Sequence, residues 1–127
     1  MKLLLLVAAG GALGSLARYK LAGAITHHTV TAAFPFGTFA VNVLGCLVAG
    51  VLIGVAEHYA ILTSETRLLV FTGFLGGFTT FSAFGVETVA LLQRGQLGIA
   101  AAYVGSSILC GLVVLWAGIK AGGMTGG

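Results

Sequence analysis

Four stretches of this chain carry no aspartate, glutamate, lysine or arginine: residues 3–17, 21–56, 68–86 and 95–119. A bilayer span needs about 20 mostly apolar residues. On that length these blocks predict four membrane helices, near 3–25, 36–56, 68–92 and 97–119. Six basic and three acidic residues make up only 7% of the chain, against about 25% in an ordinary soluble domain. So few charges cannot clothe a water-soluble globule of this size. The 21 glycines point the same way, because glycine weakens soluble helices, whereas small residues let membrane helices approach closely.

The connections are short. The first, 26–35, holds His27, His28 and the single proline, Pro35, which suits a helix start. The second, 57–67, holds Glu57, His58, Glu65 and Arg67, and the third is a few residues around Gln93–Gln96. Nothing is left for a soluble domain, so residues 1–127 read as one four-helix transmembrane domain. Lys2 followed by Leu3–Ala9 has the look of a signal peptide. The apolar run continues through Leu13 to Ile25 without a cleavage site, and it is read as the first span. Cys46 and Cys110 fall inside spans and read as buried, inert thiols rather than a disulfide or metal framework.

The basic residues divide evenly between the two sides. Lys2, Arg67 and Lys120 lie on the side of the termini, and Arg18, Lys20 and Arg94 on the other. Orientation is set by a Lys/Arg excess on one side; a tie permits insertion either way up, and hence an antiparallel homodimer. Lys20 can snorkel to the interface. Arg18 lies deeper, where an ionisable group costs about 2.5–3.5 kcal/mol and marks an ion path or a buried partner. Glu87, in the third span, reads as a packing or hydrogen-bonding partner near the interface. Glycines four apart, at Gly10/Gly14, Gly50/Gly54 and Gly73/Gly77, predict close helix crossings, either within one chain or against a second copy.

No paired carboxylates, nucleophile triad or nucleotide loop is present, so the chain does not read as an enzyme. His27-His28 makes at best a weak metal site. Gly73-Phe74-Leu75-Gly76-Gly77-Phe78-Thr79-Thr80-Phe81-Ser82-Ala83-Phe84 is a poor helix centre. It predicts a third helix broken near its centre, at Gly76-Gly77. A break at membrane depth must be buried in protein or line a cavity, and it frees carbonyl oxygens that can coordinate a cation. Beyond it, Phe81 and Phe84 can present ring edges, which carry positive partial charge, and Ser82 a hydroxyl. Asn42, with Thr38 and Gly45 on the same helical side, offers amide donors. Tyr103, Ser106 and Ser107 add hydroxyls on the fourth span.

At these residues the chain resembles the Fluc/CrcB family of fluoride channels over essentially its whole length. The resemblance is carried by Gly10-Gly11-Ala12-Leu13-Gly14 with Arg18-Tyr19, by Phe36 through Gly45, and above all by Gly73 through Phe84. It implies a dual-topology antiparallel homodimer in the bacterial inner membrane, with two pores that pass fluoride passively and exclude chloride. It further implies that Phe81 and Phe84 line the pore and that Asn42 contacts fluoride. Thr38, Ser82, Tyr103, Ser106 and Ser107 would form the polar lining, and Arg18 would sit at an aqueous vestibule. A structural sodium ion would be held by backbone carbonyls of Gly76 and Thr79. Ala83 departs from the usual motif, which has threonine there, and this shortens the polar track or shifts it to Ser82. The physiological expectation is export of cytoplasmic fluoride, which lowers its toxicity. Two other classes compete. A small dual-topology multidrug transporter needs a carboxylate in its first helix, and none is present. A structural or assembly subunit leaves the clustered polar groups of the third span without a role.

Overall fold

A computed structural model describes residues 1–124. Five helical segments carry them: α1 (Lys2–His28), α2 (Phe36–Tyr59), α3 (residues 64–78), α4 (Phe81–Gln93) and α5 (Leu97–Met124). Four runs are long and apolar enough to cross a membrane: Lys2–His28, Phe36–Tyr59, Ser64–Gln93 and Leu97–Met124. No strand occurs among the described residues.

Each helix outlasts its apolar block. A 27-residue α1 is about 40 Å long at 1.5 Å per residue, against a hydrocarbon core of about 30 Å. The expected ends at 25, 56 and 119 therefore fall short of the observed ends at His28, Tyr59 and Met124. A charge marks where apolar sequence stops, whereas a helix stops where its hydrogen bonding is capped. Pro35 immediately precedes α2, and its carbonyl accepts from Phe39 N–H at 3.1 Å. Ala60 closes α2 with a left-handed φ of 51°. Between α4 and α5 the chain reverses through Gly95, φ 72°, where a side chain would be strained. Gln96 N–H then bonds back to the Leu91 carbonyl at 2.9 Å.

The helices pack as two close pairs, α1 along α3 and α2 along α5, with α4 against α5. In the first pair a Cβ at Gly10 or Gly14 would run into the backbone carbonyl of Leu69 or Phe74. In the second, a Cβ at Gly50 or Gly54 would meet the carbonyls of Leu115 or Ile119, and Gly118 and Gly122 answer from α5. Of the two readings of the four-apart glycines, the structure therefore uses Gly10/Gly14, Gly50/Gly54 and Gly73/Gly77 within one chain. The buried hydrophobic core is small and comprises Val41, Leu75, Phe78, Leu91, Ala100 and Tyr103. Leu109, Leu112, Val113 and Trp116 on α5 stay exposed, as befits a lipid-facing surface.

The third membrane-capable run corrects one expectation. Gly76 and Gly77 are helical, as part of Gly76–Phe78, and α3 winds through π-helical turns at Leu68–Leu75 before reaching them. The extended residues lie further on: Thr79 has φ −87°, ψ 155°, and Thr80 φ −147°, ψ 116°. The physical reason is a division of labour. Gly77 is small because it packs on the Gly11 backbone of α1. The two threonines are β-branched, and their hydroxyls compete for backbone partners. Thr79 Oγ1 donates to the Leu75 carbonyl at 2.9 Å, and Thr80 Oγ1 accepts Ala83 N–H at 3.2 Å, capping α4.

Candidate functional site

The extended pair is held from α2. Asn42 donates from Nδ2 to the Thr80 carbonyl at 3.0 Å, and its Oδ1 accepts Thr80 N–H at 2.8 Å. In a continued helix Thr80 N–H would bond to the Gly76 carbonyl; Asn42 takes that donor instead. One of the two amide protons of Asn42 remains after the clamp is made.

Beside the clamp lies an open cavity of 280 Å³, lined by Asn42, Cys46, Thr79, Thr80, Phe81, Phe84, Ser107 and Ile108. No charged side chain is among them. The rings of Phe81 and Phe84 sit 5.6 Å apart at 35°. Phe81 is 84% exposed, so one chain leaves most of its ring uncovered. Ser107 Oγ is buried and has no hydrogen-bond partner among the described residues. A buried hydroxyl without a partner is costly, and it calls for a ligand, an ion or a water.

A second cavity, of 500 Å³, is lined in part by Arg18, Tyr19, His27, Thr38 and Glu87. Arg18 does not point freely into it: its Nε donates to the Gly77 carbonyl at 3.1 Å. In the wall of the second cavity Glu87 ties three helices together. Its Oε1 accepts Thr38 Oγ1 and its Oε2 accepts the Tyr103 hydroxyl, both at 2.7 Å. Tyr103 is fully buried and packs on Phe84 (5.1 Å) and Phe34 (5.4 Å).

The structure thus gathers Asn42, Phe81, Phe84 and Ser107 in one cavity, and Arg18 and Thr38 in another. It leaves three sequence candidates outside both. Tyr103 is a core residue whose hydroxyl is committed to Glu87. Ser106 Oγ turns back to the Tyr103 carbonyl at 3.5 Å. Ser82 is exposed and lies 3.3 Å from Thr80 Oγ1. Thr80, Cys46 and Ile108 join the site without having been singled out as pore residues. For Thr80, its place between a glycine-rich run and a cluster of phenylalanines was a usable signal.

Gly76 and Thr79 line a third cavity, of 270 Å³, with Gly45, Cys46, Ala49, Phe71, Leu75 and Leu115. No charged side chain lines it, and no group of three His, Cys, Asp or Glu that could hold a metal occurs among the described residues. Backbone carbonyls are neutral oxygen donors that suit a hard cation, whereas the Cys46 thiol in the same wall is a soft group.

Residues 5–119 match the family model described as CrcB-like protein, Camphor Resistance (CrcB). The chain belongs to the CrcB family. Relatives agree over nearly full length on both sides. A protein of Methylobacillus flagellatus is 51% identical over 95% of this chain and 94% of its own. One of Nitratidesulfovibrio vulgaris is 46% identical over 96% and 98%, and one of Thermus thermophilus 46% over 97% of each. All three bear the name fluoride-specific ion channel FluC. With four membrane-capable helices, this CrcB-family chain is a multi-pass membrane protein.

Proposed function

We infer that the protein is a passive, fluoride-selective channel that lets cytoplasmic fluoride leave the cell. The observation that carries the reading is the wall of the 280 Å³ cavity: an amide, hydroxyls and phenylalanine rings, with no formal charge. Fluoride is small and strongly hydrated, so neutral donors must replace its water. The remaining Asn42 proton, the unpartnered Ser107 hydroxyl and the ring edges of Phe81 and Phe84 are such donors. An array of weak neutral sites binds an ion without trapping it, as conduction requires. The vestibule at Arg18, whose wall includes Thr38 and Glu87, gathers the anion. A negative-inside potential contributes about 2.3 kcal/mol per 100 mV to anion exit, so neither a nucleotide nor a coupling ion is needed. The reading is non-enzymatic. The multidrug-transporter alternative is not favoured: α1 has no acidic residue, and the named relatives are fluoride channels.

The working unit is read as an antiparallel dual-topology homodimer. The equal division of basic residues and the largely uncovered Phe81 ring support this, since a second copy would complete an open site. The interruption at Thr79–Thr80 is its functional discontinuity. The carbonyls of Gly76 and Thr79 fit a structural sodium ion, which would hold the discontinuity together by neutral oxygen coordination; diversion of Thr80 N–H to Asn42 is what releases Gly76. Ser82, Tyr103 and Ser106 are assigned supporting roles, Tyr103 by fixing Glu87 and Phe84. The reading is tested by reconstituting purified protein in liposomes with sodium present and imposing a membrane potential alone. Fluoride efflux should follow the potential with no nucleotide and no proton gradient. Efflux that needs either one would refute a passive channel. Tags on one terminus should be found on both faces of the membrane, and a single face would refute dual topology.

A further inference from the structure

The vestibule holds a histidine to which the channel reading assigns no part. His27 lies in the last turn of α1 and lines the 500 Å³ cavity with Arg18, Tyr19 and Glu87. Tyr19, Gly23 and His27 form one row at four-residue spacing, beside the row that starts at Arg18. Gly23 keeps that row low, with nothing within 4 Å of where a Cβ would stand. The charged and titratable groups that face the space are Arg18 and Tyr19 from α1 and Glu87 from α4, with the Thr38 hydroxyl from α2. His28 meets His27 edge-on at 5.5 Å, but is not part of the cavity wall. Glu87 has both oxygens engaged, by Thr38 and Tyr103.

We propose that His27 is a proton-dependent anion-gathering group of this vestibule, supplementing Arg18 when the surrounding solution is acidic. This rests on the channel reading above. Imidazole is the side chain that gains its positive charge between pH 8 and 5. A cleft of one sign with low-dielectric walls concentrates counter-ions, so one added charge at the mouth raises the supply of anions to the path.

The test is fluoride efflux from liposomes at about pH 7.5 and about pH 5.5, at low ionic strength and fixed fluoride-ion concentration. Protein-free vesicles correct for leak of the neutral acid. Wild-type efflux should be about two-fold faster at the lower pH, and the ratio should shrink with added salt as screening sets in. His28→Gln should keep the ratio and His27→Gln should abolish it while retaining flux at the higher pH. The same ratio in His27→Gln, or a flat wild-type profile with normal flux, would overturn the role of His27. Absence of fluoride flux at both pH values would overturn the channel reading, and this inference with it.

Discussion

Replacing Asn42 with alanine removes both halves of the clamp on Thr80, the 2.8 Å and the 3.0 Å hydrogen bond. Hydrogen bonds between membrane helices average about 0.6 kcal/mol and reach about 1.7. A buried backbone group left unpaired costs about 1–3 kcal/mol. Thr80 is half-buried and has extended dihedrals, so its backbone cannot recover both partners by local winding. Two bonds at the membrane scale then give a loss of about 1–3 kcal/mol. Asn42→Asp separates stability from conduction. It keeps an acceptor for Thr80 N–H, but turns an oxygen towards the Thr80 carbonyl and places a carboxylate in the otherwise uncharged cavity. Its flux should fall far more than its stability. The assay is reversible unfolding in mixed micelles, alongside fluoride efflux from liposomes. If Asn42→Ala unfolds like wild type and conducts like wild type, the clamp does not hold the discontinuity and the reasoning fails.

Three further outcomes follow from the packing. Gly50→Ala or Gly54→Ala should cost about 1–3 kcal/mol by forcing a methyl group into the α5 backbone, whereas Gly98→Ala, with open space, should be neutral or stabilising by up to about 1 kcal/mol; unfolding in micelles compares them. Phe81→Ile should leave the stability of the single chain within about 0.5 kcal/mol, since there the ring is 84% exposed, yet abolish fluoride efflux. Ala60→Gly relieves a left-handed backbone at the end of α2 and should stabilise by about 1 kcal/mol in the same unfolding measurement.

Charge-free blocks made the helix count legible, because the bilayer penalises charge at every residue of a span. Helix ends were less legible: nothing about Lys120 stops α5, whose helix simply continues into the polar region. The glycine pairs pointed to close crossings, but which helix each would meet depends on the tertiary arrangement, and the structure pairs α1 with α3 and α2 with α5. Placing the interruption at Gly76-Gly77 failed because glycine has two uses, a weak helix and a close contact, and here the contact decided. Asn42 was legible as the lone asparagine among apolar neighbours. Its partner was not, since a bond across 38 residues leaves no local trace. Glu87 was visible as a charge in a span, while its two hydroxyl donors come from α2 and α5 and appear only once the helices are packed.

Selectivity is the property on which the account depends most. The measurement is the reversal potential across a planar bilayer holding the purified protein, with fluoride and chloride gradients varied independently and sodium on both sides. The potential should follow the fluoride gradient and ignore the chloride gradient. A potential that moves equally with chloride would contradict fluoride selectivity.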